Sequence, residues 1–277
     1  MKSNPIIFTK WNKGRLVIMG GSPGTAFTVN NAANAARRTG CGLVVACIQD
    51  KLLPTLDGKF KINTFGDYTT LDKDSELSHL LNKSDAFCFG IGIEEDSATI
   101  DSIVSFLLKN VNKPIILDAD GVKVIINKKD ELKDRKDKNI DTILTLNPQE
   151  TEHVFGNYSP DCNKLALFAR KYGVYIVLKG SIAKIFSPNG NVKFINTSDC
   201  PEMANAGCGD VLTGLIGGFI AQGISPLESI LGAIEVRRAG AKKYLSITND
   251  VVVQPEDIVD NIRYIIKDLH PKNKNYF

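Results

Sequence analysis

Short apolar runs alternate along the chain with longer stretches in which apolar residues recur every three or four positions. The runs Arg15–Met19, Gly42–Ile48, Ala86–Phe89, Pro114–Leu117, Thr142–Leu146 and Tyr175–Leu178 predict strands. Several are continuously apolar, the pattern of strands covered on both faces. Helical periodicity predicts helices over Thr28–Arg38, Ser97–Leu108, Cys162–Lys171, Asp210–Gln222, Pro226–Leu245 and Pro255–Leu269. Pro188-Asn189-Gly190-Asn191 concentrates turn formers, so Ser181–Asn196 is expected to be a hairpin. This alternation predicts an α/β fold, a mostly parallel central sheet with helices on both faces. No internal repeat and no shift in composition marks a boundary, so residues 1–277 are expected to form a single domain.

Composition alters this picture mainly by exclusion. Lys plus Arg number 34 against 31 Asp plus Glu, a formal charge of +3. That balance lacks the concentrated basic face of a nucleic-acid binder. The charge-rich stretch Lys128–Lys138 mixes both signs and is expected to be a solvated helix end or loop. No apolar stretch is long enough for a membrane span, and Met1–Lys10 has none of the marks of an export signal. Six cysteines without a CxxC pair, and three histidines, do not follow zinc spacing. Reduced thiols and a cytoplasmic location are the simplest expectation.

Several segments carry chemistry. Gly207-Cys208-Gly209-Asp210 precedes an apolar helix, whose free N–H groups and positive dipole end make an anion hole. A carboxylate at Asp210 would sit beside that hole. There it can take a proton from a hydroxyl attacking a phosphoryl group, or it can simply cap the helix. Gly214, Gly217 and Gly218 weaken this helix by about 1 kcal/mol each relative to alanine. Close approach to a neighbouring helix or a nucleotide would offset the loss. Gly20-Gly21-Ser22-Pro23-Gly24 forms a glycine loop between strand and helix, suited to a polar ligand or to a tight turn. It is neither GxGxxG nor a Walker A loop. Gly90-Ile91-Gly92 and Asp118-Ala119-Asp120 end two further strands. The acids there orient a ligand or Mg²⁺, or cap the next helix. Asn147-Pro148-Gln149-Glu150-Thr151-Glu152 follows another strand. Glu150 and Glu152 are candidates for organising Mg²⁺ around nucleotide phosphates, with an acid-enriched helix start as the alternative. Lys179-Gly180 closes the last strand, where the lysine pairs with phosphate or is merely exposed.

In this order the motifs resemble the ADP- or ATP-dependent NAD(P)H-hydrate dehydratases of the ribokinase-like superfamily. The resemblance runs from about Lys13 to Ile262. It is carried by Lys13-Gly14 with Gly20-Gly21-Ser22, the alanine-rich stretch Ala32–Gly42, Gly90 and Gly92, Asp118-Ala119-Asp120, and Leu178-Lys179-Gly180. The longest match joins Asn196, Met203-Ala204 and Gly207 to Gly214. The resemblance implies a ribokinase-like fold and repair of hydrated NADH or NADPH, called NAD(P)HX. Phosphoryl transfer from ADP or ATP to the C6 hydroxyl, with Mg²⁺, would be followed by loss of phosphate. It implies Asp210 as catalytic base and substrate contact. Ala26, Gly92 and Gln149 would line the NAD(P)HX site. Lys179, Gly180, Ser181, Ile182, Ala183, Gly207 and Gly209 would hold the adenine nucleotide. It also implies a homo-oligomer, often a tetramer. No epimerase domain is recognisable in these residues, which makes a separate NAD(P)HX epimerase the expected functional partner.

Three positions depart from the family pattern. Gln149 stands where a histidine is usual, so it hydrogen-bonds but does not titrate. Ala183 replaces a hydroxyl-bearing residue, and Thr25-Ala26 replaces Gly-Ala. Glu150-Thr151-Glu152 also leans towards ribokinase-type kinases, which stop at the phosphorylated product. A small-molecule kinase and a catalytically weak nucleotide-binding protein are therefore the alternative readings.

Overall fold

The computed structural model describes residues 9–10, 12–56, 60–69, 75–157 and 160–273. Residues 1–8, on which most of the amino-terminal expectation rests, lie outside them. One nine-stranded sheet runs through the described residues in the order β3-β2-β1-β4-β5-β6-β7-β8-β9. The strands are β1 (Arg15–Met19), β2 (Leu43–Gln49), β3 (Lys61–Phe65), β4 (Ala86–Phe89), β5 (Ile115–Leu117), β6 (Thr142–Leu146), β7 (Val174–Leu178), β8 (Ile182–Phe186) and β9 (Val192–Asn196). The pairings from β1 to β7 are all parallel, and β8 and β9 add an antiparallel hairpin. All six predicted strands and the hairpin are present. Strand β3 was not predicted. It is a short, half-exposed edge strand and offers little hydrophobic signal.

Alternate residues along each strand feed two cores, because successive side chains leave opposite faces of a sheet. Leu16, Ile18, Ala46 and Cys88 join the core beneath α1 (Ala26–Arg38), α8 (Cys208–Ala221), α9 (Pro226–Leu245) and α10 (Pro255–Ile262). Val17, Met19, Phe87 and Phe89 join the opposite core. That core is shared with α2 (Ser75–Lys83), α3 (Ser97–Asn110), α5 (Lys129–Asp137), α6 (Pro148–Phe155) and α7 (Cys162–Tyr172). Burial on both faces explains why these strands read as unbroken apolar runs.

Helix α2 was not predicted, and the small helix α4 (Asp120–Lys123), α5 and α6 were foreseen only as alternatives, as a helix capped by the acids at 118–120, a solvated helix end and an acid-enriched helix start. The predicted helix Pro255–Leu269 breaks after Ile262, and α11 (Ile266–Leu269) is a separate turn.

The charged stretch 128–138 also departs from expectation. It forms α5, and part of it is buried rather than solvated. Arg135 is only 1% exposed. Its Nε donates to Thr142 Oγ1 at 2.8 Å, and its guanidinium nitrogens donate to the carbonyls of Leu108, Val111, Lys113 and Asp141. Burial lowers its pKa to about 10, so it remains charged at neutral pH. An unpaired buried charge costs several kcal/mol, and this set of acceptors offsets that cost. Lys128 reaches Asp101 on α3 at 2.6 Å, and Glu131 accepts from Ser105 at 2.8 Å. Positions 128, 131, 132 and 135 thus share one helix face, polar in composition yet packed against α3.

Candidate active site

Each parallel strand delivers its carboxyl end to one edge of the sheet, where open α/β sheets bind ligands. Asp118 follows β5, Asn147 to Glu150 follow β6, and Lys179 follows β7. The first turn of α8 carries Asp210 to the same place.

Asp118 anchors the cluster. It is 1% exposed, and its Oδ1 accepts from Lys179 Nζ at 2.6 Å. Oδ1 also takes the Ala119 N–H at 2.9 Å, while Oδ2 accepts from Thr213 Oγ1 at 2.5 Å. Thr213 lies three residues beyond Asp210, so this hydrogen bond ties α8 to the end of β5. Ala119 has φ 47°, a conformation that costs a non-glycine residue about 1–3 kcal/mol. Asp120 turns away to Lys123, at 2.5 Å, so the two acids of this motif do not act as a pair.

Glu150 is the third residue of α6. Its carboxylate accepts from the Asn147 N–H and side-chain amide, each at 2.7 Å, and the Glu150 N–H donates to Asn147 Oδ1. This capping box fixes a buried carboxylate 3.6 Å from Lys179 Nζ. Residues two apart on a helix leave opposite sides, and Glu152 is exposed. Glu150 and Glu152 are therefore not brought together. Gln149 is also exposed.

Three carboxylates surround one ammonium. Burial pushes the Asp210 carboxyl well above its ordinary value, and the charge of Asp118 adds to the rise. Lys179 opposes that shift, and Glu150 reinforces it. Burial also raises Glu150, against the pull of Lys179. For Lys179, burial acts downward, but Asp118 and Glu150 outweigh it and hold the ammonium charged. A half-buried acid with a raised pKa beside a fixed cation is suited to proton transfer.

Lys179 also borders the anion hole. A Cβ placed on Gly209 would lie 3.7 Å from its Nζ. The N–H groups of Cys208, Asp210 and Val211 already donate to Asn205 O and Gly207 O, so an anionic group at this turn would meet the Gly209 N–H and the positive end of α8 on one side and the ammonium on the other. Gly207 starts the helix with φ +88°. A side chain there would strike Pro255 Cγ at 2.6 Å and Asn31 Nδ2 at 2.8 Å, so only glycine fits. Cys208 is buried, donates its thiol to Val253 O, and is pushed by burial to about 11. Gly214 and Gly217 serve close packing. A Cβ on the first would lie 2.1 Å from Ala32 O, and one on the second 2.6 Å from Cys88 Sγ.

Next to this cluster, the loops after β1 and β4 are laced together. Thr25 Oγ1 donates to Gly92 O at 2.7 Å, and Ser22 Oγ accepts the Glu94 N–H at 2.9 Å. Ala26, at the start of α1, follows directly on the threonine that holds Gly92. The side chains that abut Gly92 are those of Thr25 and Thr28. Gly180, Ser181 and Ile182 are exposed at the mouth of the hairpin, whereas Ala183 is buried in the core. Thr197 Oγ1 donates to the Gly180 and Ser181 carbonyls at 2.7 and 3.1 Å, fixing this segment from β9. A separate groove of about 790 Å³ lies between α1, α10 and β2, lined by Arg37, Arg38, Lys61, Glu256 and Asp260. It contains none of the clustered carboxylates, and the site is defined by the chemistry at the sheet edge rather than by groove size.

Sequence reasoning placed Asp210, Lys179, Gly209 and Glu150 in one site, and the structure brings them together. It did not single out Thr28, Asn31, Thr213 or Arg237. Thr213 carried a signal, being one helical turn beyond Asp210. Asn31 and Arg237 carried only their polarity within otherwise apolar helix faces.

The fold is ribokinase-like. A ribokinase-like superfamily protein from Enterococcus faecalis superposes with a TM-score of 0.77 at 21% identity, over 96% of this chain and 91% of that one. The ADP/ATP-dependent NAD(P)H-hydrate dehydratase of Bacillus subtilis, co-crystallised with ATP/Mg²⁺, also gives 0.77, at 20% identity over 97% and 94%. The chain belongs to the NAD(P)H-hydrate dehydratase family, whose model matches residues 16–263. It is 30% identical to the ADP-dependent (S)-NAD(P)H-hydrate dehydratase of Neisseria meningitidis, over 82% of this chain and 76% of that protein. It is also 30% identical to the bifunctional NAD(P)H-hydrate repair enzyme Nnr of Moorella thermoacetica, over 92% of this chain. The chain spans about half the length of the bifunctional relatives it matches.

Proposed function

We propose that this protein dehydrates NAD(P)HX, using an adenine nucleotide to activate the hydroxyl that is lost. The observation that carries the reading is Asp210, a half-buried carboxyl of raised pKa in the first turn of α8, beside Lys179 and the Gly207–Gly209 turn. Asp210 takes the proton of the C6 hydroxyl as its oxygen attacks the terminal phosphoryl group. The Gly209 N–H, the positive end of α8 and Lys179 hold the charge that develops on that group. Phosphate then departs with the C6 oxygen, the adjacent ring carbon releases a proton, and the reduced nicotinamide is restored. Ala26, Gly92 and Gln149 form the NAD(P)HX side, with Thr28 added from its contact with Gly92. Lys179 to Ala183, with Gly207 and Gly209, form the nucleotide side.

Mg²⁺ is the expected companion of the nucleotide. When bound, it neutralises phosphate charge. Three carboxylates around one lysine favour a cation, but both Asp118 oxygens and both Glu150 oxygens already accept hydrogen bonds. The residues present fit a hydrated ion held through water, with Glu150 as the residue that holds it; Mg²⁺ usually keeps several waters. Glu152 remains a ligand only for a water that reaches the exposed side of α6. A homo-oligomer, a cytoplasmic location and a functional partnership with an NAD(P)HX epimerase complete the proposal.

The test is recovery of reduced-nicotinamide absorbance from purified hydrated NADH, with Mg²⁺ and ADP or ATP in parallel. Recovery with either nucleotide, abolished by Asp210→Asn, is the expected result. A stable phosphorylated product would instead establish a kinase.

A further inference from the structure

Arg237 lies on α9, behind the anion hole. Its Nη1 donates to the carbonyl of Cys208, the first residue of α8, at 3.2 Å. Its Nε is shielded from solvent and has no partner among the described residues. No carboxylate forms an ion pair with it there, in contrast to its neighbour Arg238, which pairs with Asp199 and Glu235. Burial lowers its pKa, while Cys208, Cys200 and Asp118 act in the opposite direction, so its charge is felt at Asp118. A guanidinium with an unused donor and no counterion is costly to bury. Its place offers a compensating role. On the other side of the same turn, Asn31 is 4% exposed and leaves a buried Nδ2 without a partner, against Gly207. Two buried donors, from α1 and α9, thus converge on the turn that the proposed reaction uses.

We propose that Arg237 is a positioning residue for this turn. It holds the Cys208 carbonyl, and its unpaired charge deepens the positive field that an anionic phosphoryl group meets at Gly207–Asp210. This rests on the nucleotide reading of the site. It goes further by assigning part of the affinity to a side chain that need not touch the ligand.

Three variants separate charge from shape: Arg237→Lys keeps the charge, Arg237→Gln keeps a donor, and Arg237→Met keeps only bulk. Calorimetric titration with ADP and Mg²⁺, a thermal melt, and kcat and KM on hydrated NADH would be measured for each. The expected result is a Kd for ADP about tenfold higher in the Gln and Met variants, with the Lys variant within about threefold of the parent. Melting temperatures of the folded variants should match or exceed the parent's, because apolar replacement of a buried charge is often neutral or stabilising. A purely structural Arg237 would give the reverse, a lowered melting temperature with Kd within twofold in every variant, and would overturn the inference. If the Met variant fails to fold, the Gln and Lys pair decides. A parent that binds ADP without restoring reduced nicotinamide overturns the proposed activity, while the variants' affinities still decide the role of Arg237. A parent that binds no nucleotide overturns both.

Discussion

Ionised Asp210 sits where burial and two neighbouring carboxylates all oppose its charge. Its folded-state pKa lies above the unfolded value, so folding takes up a proton on its account. The associated stability is fully present below about pH 3.9 and is lost as pH rises through the folded value. At neutral pH the residue therefore weakens the fold. Asp210→Asn, which removes the disfavoured charge, is expected to raise stability at neutral pH. The same change should abolish turnover while ADP still binds. A melt, a titration and the absorbance assay on one preparation check all three, and a destabilised variant would contradict the electrostatic account. Turnover requires the ionised form, so activity should fall on the acid side at a pH above the ordinary carboxylate range. Glu150→Gln removes a charge that raises Asp210 yet preserves the capping box. It should move that acid limb of kcat/KM to lower pH; an unmoved limb would mean that another group titrates. Asp210 was legible from the sequence as a candidate, because a carboxylate one residue past Gly-x-Gly at a helix start either meets a ligand or caps the helix. Its buried surroundings were not. Asp118 and Thr213 meet across 95 positions, at a separation that no local pattern encodes.

Helix α8 is glycine-rich because it must lie close to α1 and to the sheet. Gly214→Ala illustrates the scale. An alanine gains about 1 kcal/mol of helix propensity but would set its Cβ 2.1 Å from the Ala32 carbonyl oxygen. Backbone cannot yield as a side-chain tip can, so overpacking, commonly 1–3 kcal/mol and occasionally more, outweighs the gain. Urea denaturation should show a net loss of about 1–3 kcal/mol, and a stabilised variant would mean that the two helices can separate without penalty. The glycines could be read from the sequence as a sign of close approach; only the structure identifies α1, β1 and β4 as what they approach. Helix α5 shows where hydrophobic periodicity fails. Its buried face is built from Lys128, Glu131, Leu132 and Arg135, and a scale that scores charge as exposure reads such a face as solvent. The strands were legible because a two-sided core makes them apolar throughout. Edge strand β3, with one weakly buried face, left little trace.

Across the whole molecule, seven parallel strands deliver loops from distant parts of the sequence to one edge, and two helix starts close over them. The strand order explains why motifs scattered from Gly20 to Asp210 are neighbours in space. The sequence shows these motifs one at a time, and their convergence is a property of topology. Cys208 lies at the point where α8, α9 and the segment around Val253 meet, with its thiol turned inward and its pKa held near 11. An alkylating reagent needs an accessible thiolate, so modification at this position waits for α8 to lift from its neighbours. The rate of labelling is therefore a clock for how often the Gly207–Asp210 turn comes apart, written into the chain without any engineered residue. ADP at a hundred times its Kd should slow that clock about a hundredfold. Half-exposed Cys162, at the start of α7, should react at an unchanged rate, as peptide mass spectrometry would read. Equal rates at Cys208 with and without nucleotide would place the bound phosphates away from this turn.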